Sequence, residues 1–147
     1  MNQDLKTTVA VDIKAAPPKV WTALTDPSII KQYLFGADTK SDFKEGSTIT
    51  WEGEYEGKPY IHKGTIEKVE PGRLLKHTFL SDMQEDKPEN YANVTYTIEE
   101  NEESTRLTLT QDNISDEKEK EGNTKNWTTA LEKLKEVVEG ESLENSF

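Results

Sequence analysis

The sequence predicts an α+β fold in which a curved antiparallel sheet of about six to seven strands wraps round one long C-terminal helix. Three observations predict it. Segments between residues 37 and 112 alternate apolar and polar side chains and are joined by short turn sequences, which is typical of an antiparallel meander. The segment NWTTALEKLKEVVEG carries one apolar stripe at helical spacing. Two proline-led segments near the N-terminus predict two short helices after the first strand.

The first strand and the two short helices are predicted by local signals. Val9, Val11 and Ile13 alternate with other side chains at the period of a half-buried strand. The two prolines of AAPPKVWTAL suit the entry to a helix, where a missing N–H costs little. In TDPSIIKQYLFG, Asp26 can cap the second helix and Gly36 ends it.

The remaining strands are separated by turn sequences of a few residues. The strand segments are STITWEGEYEG, YIHKGTIEKVE, LLKHTFLS, YANVTYTIEE and STRLTLTQD, and the turns are EGKP, PGR and NEE, with a polar loop DMQEDKPEN. Local turns between successive strands indicate antiparallel neighbours. The charged segment ISDEKEKEGNTKN fits either a frayed first helical turn or a loop.

The last helix must cover the sheet, because it is the one long helix that the sequence predicts. Trp127, Leu131, Leu134 and Val138 recur at helical spacing and are predicted to face the concave side. Gly140 is the predicted end of this helix, and residues 140–147 are predicted to form a flexible tail. The chain is therefore interpreted as a single domain over residues 1–147 with its core in about 6–139, and with space left between its two layers.

Composition excludes several classes of function. The 29 Asp and Glu against 18 Lys and Arg give a net charge of −11, which argues against nucleic acid or an anionic membrane as a partner. There are no cysteines, so disulfides, thiolate metal sites and cysteine nucleophiles are excluded. The N-terminal sequence lacks the pattern of a signal peptide and no apolar run reaches transmembrane length, so a cytoplasmic location without membrane insertion is expected.

His62 and His77 are the two histidines, and both fall in predicted strands. If both point inward they could act as a base, as hydrogen-bond donors or as metal ligands; the alternative is a partly exposed or locally bonded side chain. No HxH, HxxxH or HExxH spacing is present, so no metal is expected. No GxSxG, GxGxxG or Walker sequence is present, so catalytic residues and cofactors are not predicted.

Aromatic residues of several strands and of the last helix are candidates for the wall of an internal cavity. Ordinary core packing is the alternative for each of them. With the histidines and two leucines of the helix stripe, the predicted lining residues are Trp51, Tyr60, His62, His77, Phe79, Tyr96, Trp127, Leu131 and Leu134. Aromatic walls with a few polar groups are what a small-molecule site requires.

Three stretches together carry a resemblance to a known family: VWTALTDP at residues 20–27, GTIEKVEPGRLL at 64–75 and NWTTALEKLKE at 126–136. In this order and spacing the chain resembles the START-like, or SRPBCC, helix-grip superfamily. Its closest branch is the AHSA-type domain, homologous to the C-terminal part of the activator of the 90-kDa heat-shock protein ATPase. The family often has a tryptophan at the end of the second short helix, where this chain has Tyr33 and Leu34.

The resemblance implies a helix-grip fold with a pocket between sheet and last helix, but no shared chemistry. The superfamily includes lipid carriers, hydrolase-like and cyclase enzymes, and co-chaperone domains. The co-chaperone carries a separate N-terminal chaperone-binding domain, for which we expect no room in this chain. The first hypothesis is therefore a module that binds a small apolar or aromatic ligand. The alternatives are a stress-response, co-chaperone-like interaction protein that binds a chaperone or another protein, and a hydrolase- or cyclase-like enzyme.

Overall fold

Strands and helices follow one another in the predicted order. The computed structural model describes residues 5–34, 36–81, 84–114 and 116–144, and within them it contains seven strands and three α-helices. They are β1 (Thr7–Ile13), α1 (Pro17–Thr25), α2 (Pro27–Tyr33), β2 (Asp38–Ser41), β3 (Thr48–Tyr55), β4 (Lys58–Glu70), β5 (Leu74–Phe79), β6 (Ala92–Glu100), β7 (Thr105–Gln111) and α3 (Glu117–Glu144). One short 3₁₀ turn, Pro88–Asn90, lies in the loop between β5 and β6.

All seven strands form one curved antiparallel sheet in the order β1-β7-β6-β5-β4-β3-β2. Strands β2 to β7 are a meander, and β1 joins its far edge by pairing with β7, with Val11 opposite Leu107. The tightest connection is the two-residue turn between β3 and β4, where Glu56 and Gly57 both have positive φ, as hairpin turns of this kind require. The predicted α+β class and the helix-grip arrangement are confirmed.

The second short helix, α2, is capped as predicted. The Asp26 carboxylate accepts a hydrogen bond from the Ser28 N–H at 2.9 Å, which satisfies one of the free donors at the start of α2. After the helix, the Gly36 N–H donates to the Lys31 carbonyl at 3.1 Å, and Gly36 has a φ of +81°. Glycine adopts this left-handed conformation without steric cost, so it closes the helix end.

Helix α3 is longer at both ends than the predicted segment 126–140. It begins at Glu117, where the Asp116 carboxylate accepts from the Glu119 N–H at 2.8 Å, so most of the charged segment left open between loop and frayed turn is helical. The prediction that Gly140 ends it is wrong, because α3 continues to Glu144; glycine weakens a helix by about 1 kcal/mol but does not forbid it. Residues 145–147 of the predicted tail lie outside the described residues.

The core lies between the inner face of the sheet and the three helices. Helix α3 packs on β1, α1 and α2, and its residues Leu131, Leu134 and Val138 are almost completely buried. Opposite them the core includes Ile13 of β1 and Leu107 of β7. Along the part of the chain that is described, no helix combines the length and the apolar character needed to cross a bilayer.

Strand β4 contains a register shift that allows residues on both sides of it to face the core. The register with β5 shifts between Ile66 and Lys68, so Ile66 is buried and Val69 also packs against the core, although three positions separate them. Just before the shift, a Cβ at Gly64 would lie 1.9 Å from the Thr78 carbonyl oxygen. Only glycine allows the two strand backbones to approach so closely.

Candidate ligand-binding cavity

A cavity of about 280 Å³ lies between the inner face of the sheet and the N-terminal half of α3. Strands β3 to β7 supply its floor, α3 supplies one wall, and the segment after α2 supplies another. The lining residues are Leu34, Ala37, Trp51, Tyr60, His62, His77, Phe79, Tyr96, Gln111, Asn123, Asn126 and Trp127. The cavity is thus mostly aromatic, with amides on one side.

Seven of the nine predicted lining residues meet at this cavity. The strand period of two explains this for the sheet, because Tyr60 and His62 of β4 project from one face, as do His77 and Phe79 of β5. The other two, Leu131 and Leu134, are placed elsewhere: they are not among the lining residues and belong to the buried core cluster. The helix stripe runs from the cavity at Trp127 into solid core within one or two turns.

Sequence reasoning missed five lining residues. Leu34 and Ala37 come from the connection between α2 and β2, and Gln111 is the last residue of β7. Asn123 and Asn126 lie on α3, and Asn123 is four residues before Trp127, so both fall on one helix face. The four-residue spacing between Asn123 and Trp127 could have indicated that Asn123 lines the cavity. Using it would have required knowing that the helix begins before residue 126.

The aromatic rings form one continuous chain across the cavity. Neighbouring ring centroids are 4.7 to 6.5 Å apart, in the order Tyr60, His62, Phe79, Trp51, His77, Tyr96 and Trp127. Tyr60 and His62 are stacked at 25°, and the other pairs are tilted or edge-to-face, the arrangements that aromatic pairs prefer. These rings therefore form one continuous aromatic surface that reaches from β4 to α3.

Gly53 determines the position of the Tyr60 ring at one end of this chain. The two residues are directly opposite in the β3–β4 pair. A Cβ at Gly53 would lie 2.5 Å from the Tyr60 hydroxyl oxygen and 2.6 Å from its ring, so the ring lies flat over the glycine. A larger residue at Gly53 would displace Tyr60 from the cavity wall.

His77 is neutral and offers a hydrogen-bond acceptor. Its Nδ1 lies 2.8 Å from the Thr78 carbonyl oxygen, which can only accept, so Nδ1 carries the proton and Nε2 carries a lone pair. Burial lowers the pKa of His77 to about 4, more than the bond to Thr78 raises it. No described residue donates a hydrogen bond to Nε2.

The Tyr96 hydroxyl and the Gln111 amide are two further polar groups of the wall whose hydrogen-bonding roles are defined. Burial raises the pKa of the Tyr96 hydroxyl well above its usual range, so it stays protonated, and no described side chain or carbonyl accepts from it. The Trp127 indole Nε1–H donates to Gln111 Oε1 at 2.7 Å. Because indole can only donate, this bond fixes the amide, and the Gln111 NH₂ group remains available as a donor.

Charged groups do not contribute to this wall: among the described lining residues there is no Asp, Glu, Lys or Arg. Within the described ranges, no group of three or more histidine or acidic side chains is arranged to hold a metal ion. The cavity therefore offers aromatic surface, neutral donors and one neutral imidazole acceptor.

The family is decided by a match over most of the chain. Residues 14–139 match the family described as "Activator of Hsp90 ATPase homolog 1-like protein". The chain belongs to this family. The match includes the strands that carry the aromatic lining residues and the part of α3 that lines the cavity. A comparison with the curated proteins found no match.

Solved structures agree with this assignment. The solution structure of a protein from Cytophaga hutchinsonii is 42% identical, with a TM-score of 0.83, over 97% of this chain and 99% of that one. A crystal structure from Mesorhizobium loti is 23% identical, with a TM-score of 0.77, over 92% of this chain and 97% of the other. The Aha1 dimer from Colwellia psychrerythraea is 20% identical, with a TM-score of 0.74, over 91% and 96% respectively. The last two show likeness of fold alone.

Proposed function

We propose that this family member binds a small, neutral, aromatic or apolar molecule in the cavity between the sheet and α3. The observation that carries the proposal is the cavity itself. Its volume is about 280 Å³, aromatic rings form most of its wall, and its described lining holds no charged side chain. Cavities with apolar walls and a few convergent polar groups are the usual form of small-molecule sites.

The chemistry of the wall selects a neutral ligand. Burial of apolar surface favours binding by about 25 cal/mol per Å² before the costs of ordering, and planar ligands gain ring contacts as well. An anionic ligand would lose its hydration without gaining a cationic partner. The same wall gives no support to an enzyme that uses His77 as a base, because burial lowers its pKa to about 4 and no carboxylate of the described lining would stabilise the imidazolium that forms.

His77 and Tyr96 orient the ligand in this proposal. A ligand hydroxyl donates to His77 Nε2, which has no described donor, and the Tyr96 hydroxyl donates to a ligand acceptor. Each such bond contributes about 0.5–1.5 kcal/mol, so it discriminates among ligands rather than driving binding. Apolar contact with Trp51, Phe79 and Trp127 supplies most of the affinity.

The test is calorimetric titration with three bicyclic probes at pH 7.5, with amide NMR shifts to locate the site. We expect 2-naphthol to bind about three- to tenfold more tightly than naphthalene, because its hydroxyl donates to His77. We expect 2-naphthoate to bind most weakly. Failure of both neutral probes to bind saturably, with an intact amide spectrum, would overturn the proposal.

Two matched variants locate the hydroxyl contact. His77→Phe keeps a ring in the wall but removes the acceptor, so the preference for 2-naphthol over naphthalene should disappear. His62→Phe makes the same exchange at the neighbouring imidazole of the wall and should keep the preference. A preference lost in both variants, or kept in both, contradicts the assignment of His77 as the acceptor.

A protein-binding role like that of the co-chaperone is the second candidate function, and family membership supports it. Such a role would use an exposed surface. Ile61 on β4, 54% exposed, is the exposed large hydrophobic residue of the described ranges. Ile61→Lys should abolish a partner contact at this strand without changing the affinity for 2-naphthol. Cytoplasmic location and lack of nucleic-acid binding stay predictions.

A further inference from the structure

A second cavity of about 310 Å³ adjoins the aromatic one. The two share the side chains of Phe79, Gln111 and Asn123 in their walls. We refer to the first as the inner cavity and to the second as the outer cavity. Together they fall within the range of about 300–1,000 Å³ typical of sites for small organic ligands. A ligand longer than a bicyclic ring would therefore extend from one into the other.

The outer cavity differs from the inner one in its chemistry. Five carboxamide side chains contribute to its wall: Gln84, Asn90, Gln111, Asn113 and Asn123. Each carboxamide offers both donors and an acceptor, and so does each hydroxyl group of a polyol. A wall rich in carboxamides therefore complements a substituent that carries several neutral hydroxyls.

Contacts within the protein leave defined donors and acceptors in this wall. The Asn113 amide NH₂ donates to the carbonyls of Glu89 at 2.7 Å and Tyr91 at 3.0 Å, so its Oδ1 is left as an acceptor. Gln84 Oε1 accepts from the Ser81 N–H at 3.4 Å, so its NH₂ is left as a donor. The Asn123 side chain makes no hydrogen bond to any other described residue, and it lies where the two cavities meet.

Charge excludes an anionic substituent. No Lys or Arg lines the outer cavity in the described residues, whereas the carboxylate of Glu119 does. The first turn of α3, which could otherwise attract an anion, carries Glu117 and Glu119. A phosphate, sulfate or carboxylate at this place would meet negative charge and no counter-charge.

We infer that the ligand is bipartite: a neutral planar aryl group in the inner cavity carries a neutral polyhydroxylated, sugar-like substituent that occupies the outer cavity. This inference rests on the proposed function, which supplies the aryl half. The aryl ring contacts the aromatic chain, and the hydroxyls of the substituent exchange hydrogen bonds with the carboxamides.

The experiment compares naphthalene-2,6-diol with its mono-β-D-glucoside and with 6-hydroxynaphthalene-2-sulfonate by calorimetric titration of the full chain. All three keep at least one free phenolic hydroxyl for the inner cavity. We expect the glucoside to bind about tenfold more tightly than the diol, and the sulfonate to bind more weakly than the diol.

Variants in the shared wall and in the outer wall distinguish the contributions of the two cavities to binding. Gln84→Ala and Asn123→Ala should each reduce the advantage of the glucoside over the diol about threefold or more. Asn126→Ala is the matched control for Asn123→Ala, since both residues lie on α3 and Asn126 lines the inner cavity but not the outer one. It should leave the ratio of the two dissociation constants unchanged.

The outcomes distinguish the two proposals. If the diol itself does not bind, the proposed function fails and this inference fails with it. If the diol binds but the glucoside binds no more tightly, or the sulfonate binds more tightly than the glucoside, the proposed function stands and the bipartite ligand is overturned. A glucoside advantage that survives both Gln84→Ala and Asn123→Ala also overturns it.

Discussion

The two halves of α3 present the same helix face to the sheet, yet one half builds solid core and the other builds a cavity wall. In the C-terminal half, Leu131, Leu134 and Val138 are buried against β1, α1 and α2. In the N-terminal half, Asn123, Asn126 and Trp127 line open space. The difference arises from what lies opposite, because small helices fill one end while aromatic rings attached to the sheet leave the other end unfilled. An amphipathic stripe therefore predicts a buried face, but not whether that face is packed.

The largest expected effect comes from shortening a buried side chain in the C-terminal, packed half of α3. Leu134→Ala should reduce the free energy of unfolding by about 2–5 kcal/mol, because it leaves a cavity in a side-chain position with no solvent exposure. Asn126→Ala, at the cavity half, should change stability by less than about 0.5 kcal/mol. Urea unfolding of both variants measures the contrast. Equal losses would show that the two halves are packed alike.

Acid should reduce the free energy of unfolding of the protein through His77, which lies on β5 in the cavity wall. The pKa of its imidazole is lowered from 6.5 to about 4 in the folded protein, so the unfolded chain binds more protons between these values. Stability should therefore rise as pH increases from about 4 to 6.5 and fall as pH drops through that range, by an amount on the order of 3 kcal/mol.

His77→Phe isolates this contribution from the carboxylates that titrate in the same range. The variant lacks the titrating group, so subtracting its stability from that of the parent at each pH should leave the His77 contribution alone. Thermal or urea unfolding from pH 4 to pH 7 provides the two curves. A difference that does not change between pH 4 and pH 6.5 would contradict a buried neutral imidazole.

Gly64→Ala should disturb the sheet floor beneath the cavity. Its Cβ would meet the Thr78 carbonyl oxygen at 1.9 Å, and the strain of separating two backbones should cost about 1–3 kcal/mol. Gly122→Ala on α3 is the control, because nothing lies within 4 Å of its Cβ. That change should stabilise the helix by about 0.5–1 kcal/mol. Equal signs for the two variants in urea unfolding would refute this reading of the close approach.

A smaller loss of stability is expected at Trp127 than at Leu134, His77 or Gly64. Trp127→Phe removes the indole donor to Gln111 and keeps most of the apolar surface, so it should cost about 0.5–1.5 kcal/mol. A double-mutant cycle with Gln111→Leu measures the coupling between the two side chains. If Trp127→Phe costs as much as Leu134→Ala, the N-terminal half of α3 is part of the core rather than a cavity wall.

Most of the fold was predictable because local patterns decide it. Strand alternation placed Tyr60 with His62, and His77 with Phe79, on the same face of the sheet, although it did not show that this face is the inner one. The capping signals at Asp26 and Gly36 marked the ends of α2. These features depend on neighbours within a few residues of the chain, so the sequence contains them directly.

What could not be predicted depends on contacts between distant segments. The register shift after Ile66 allows both Ile66 and Val69 to face the core although they are three positions apart. Regular alternation would have placed Val69 on the opposite face of the sheet. The extent of α3 was underestimated because glycine at 122 and 140 resembles a helix boundary. The separation of Trp127 from Leu131 and Leu134 depends on α1 and α2, whose positions follow from the tertiary fold and not from the helix stripe.

The placement of the three tryptophans has a spectroscopic consequence. Trp51 and Trp127 belong to the wall of the inner cavity, whereas Trp21 lies on α1 and is not among the lining residues. Two of the three tryptophans therefore line the space that a ligand would occupy, and the third serves as an internal reference in the same chain. Quenching of the first two, or energy transfer from them to an absorbing ligand, would report occupancy without any label. With single Trp→Phe variants to assign each emission, the protein can act as the fluorescent sensor of its own ligand.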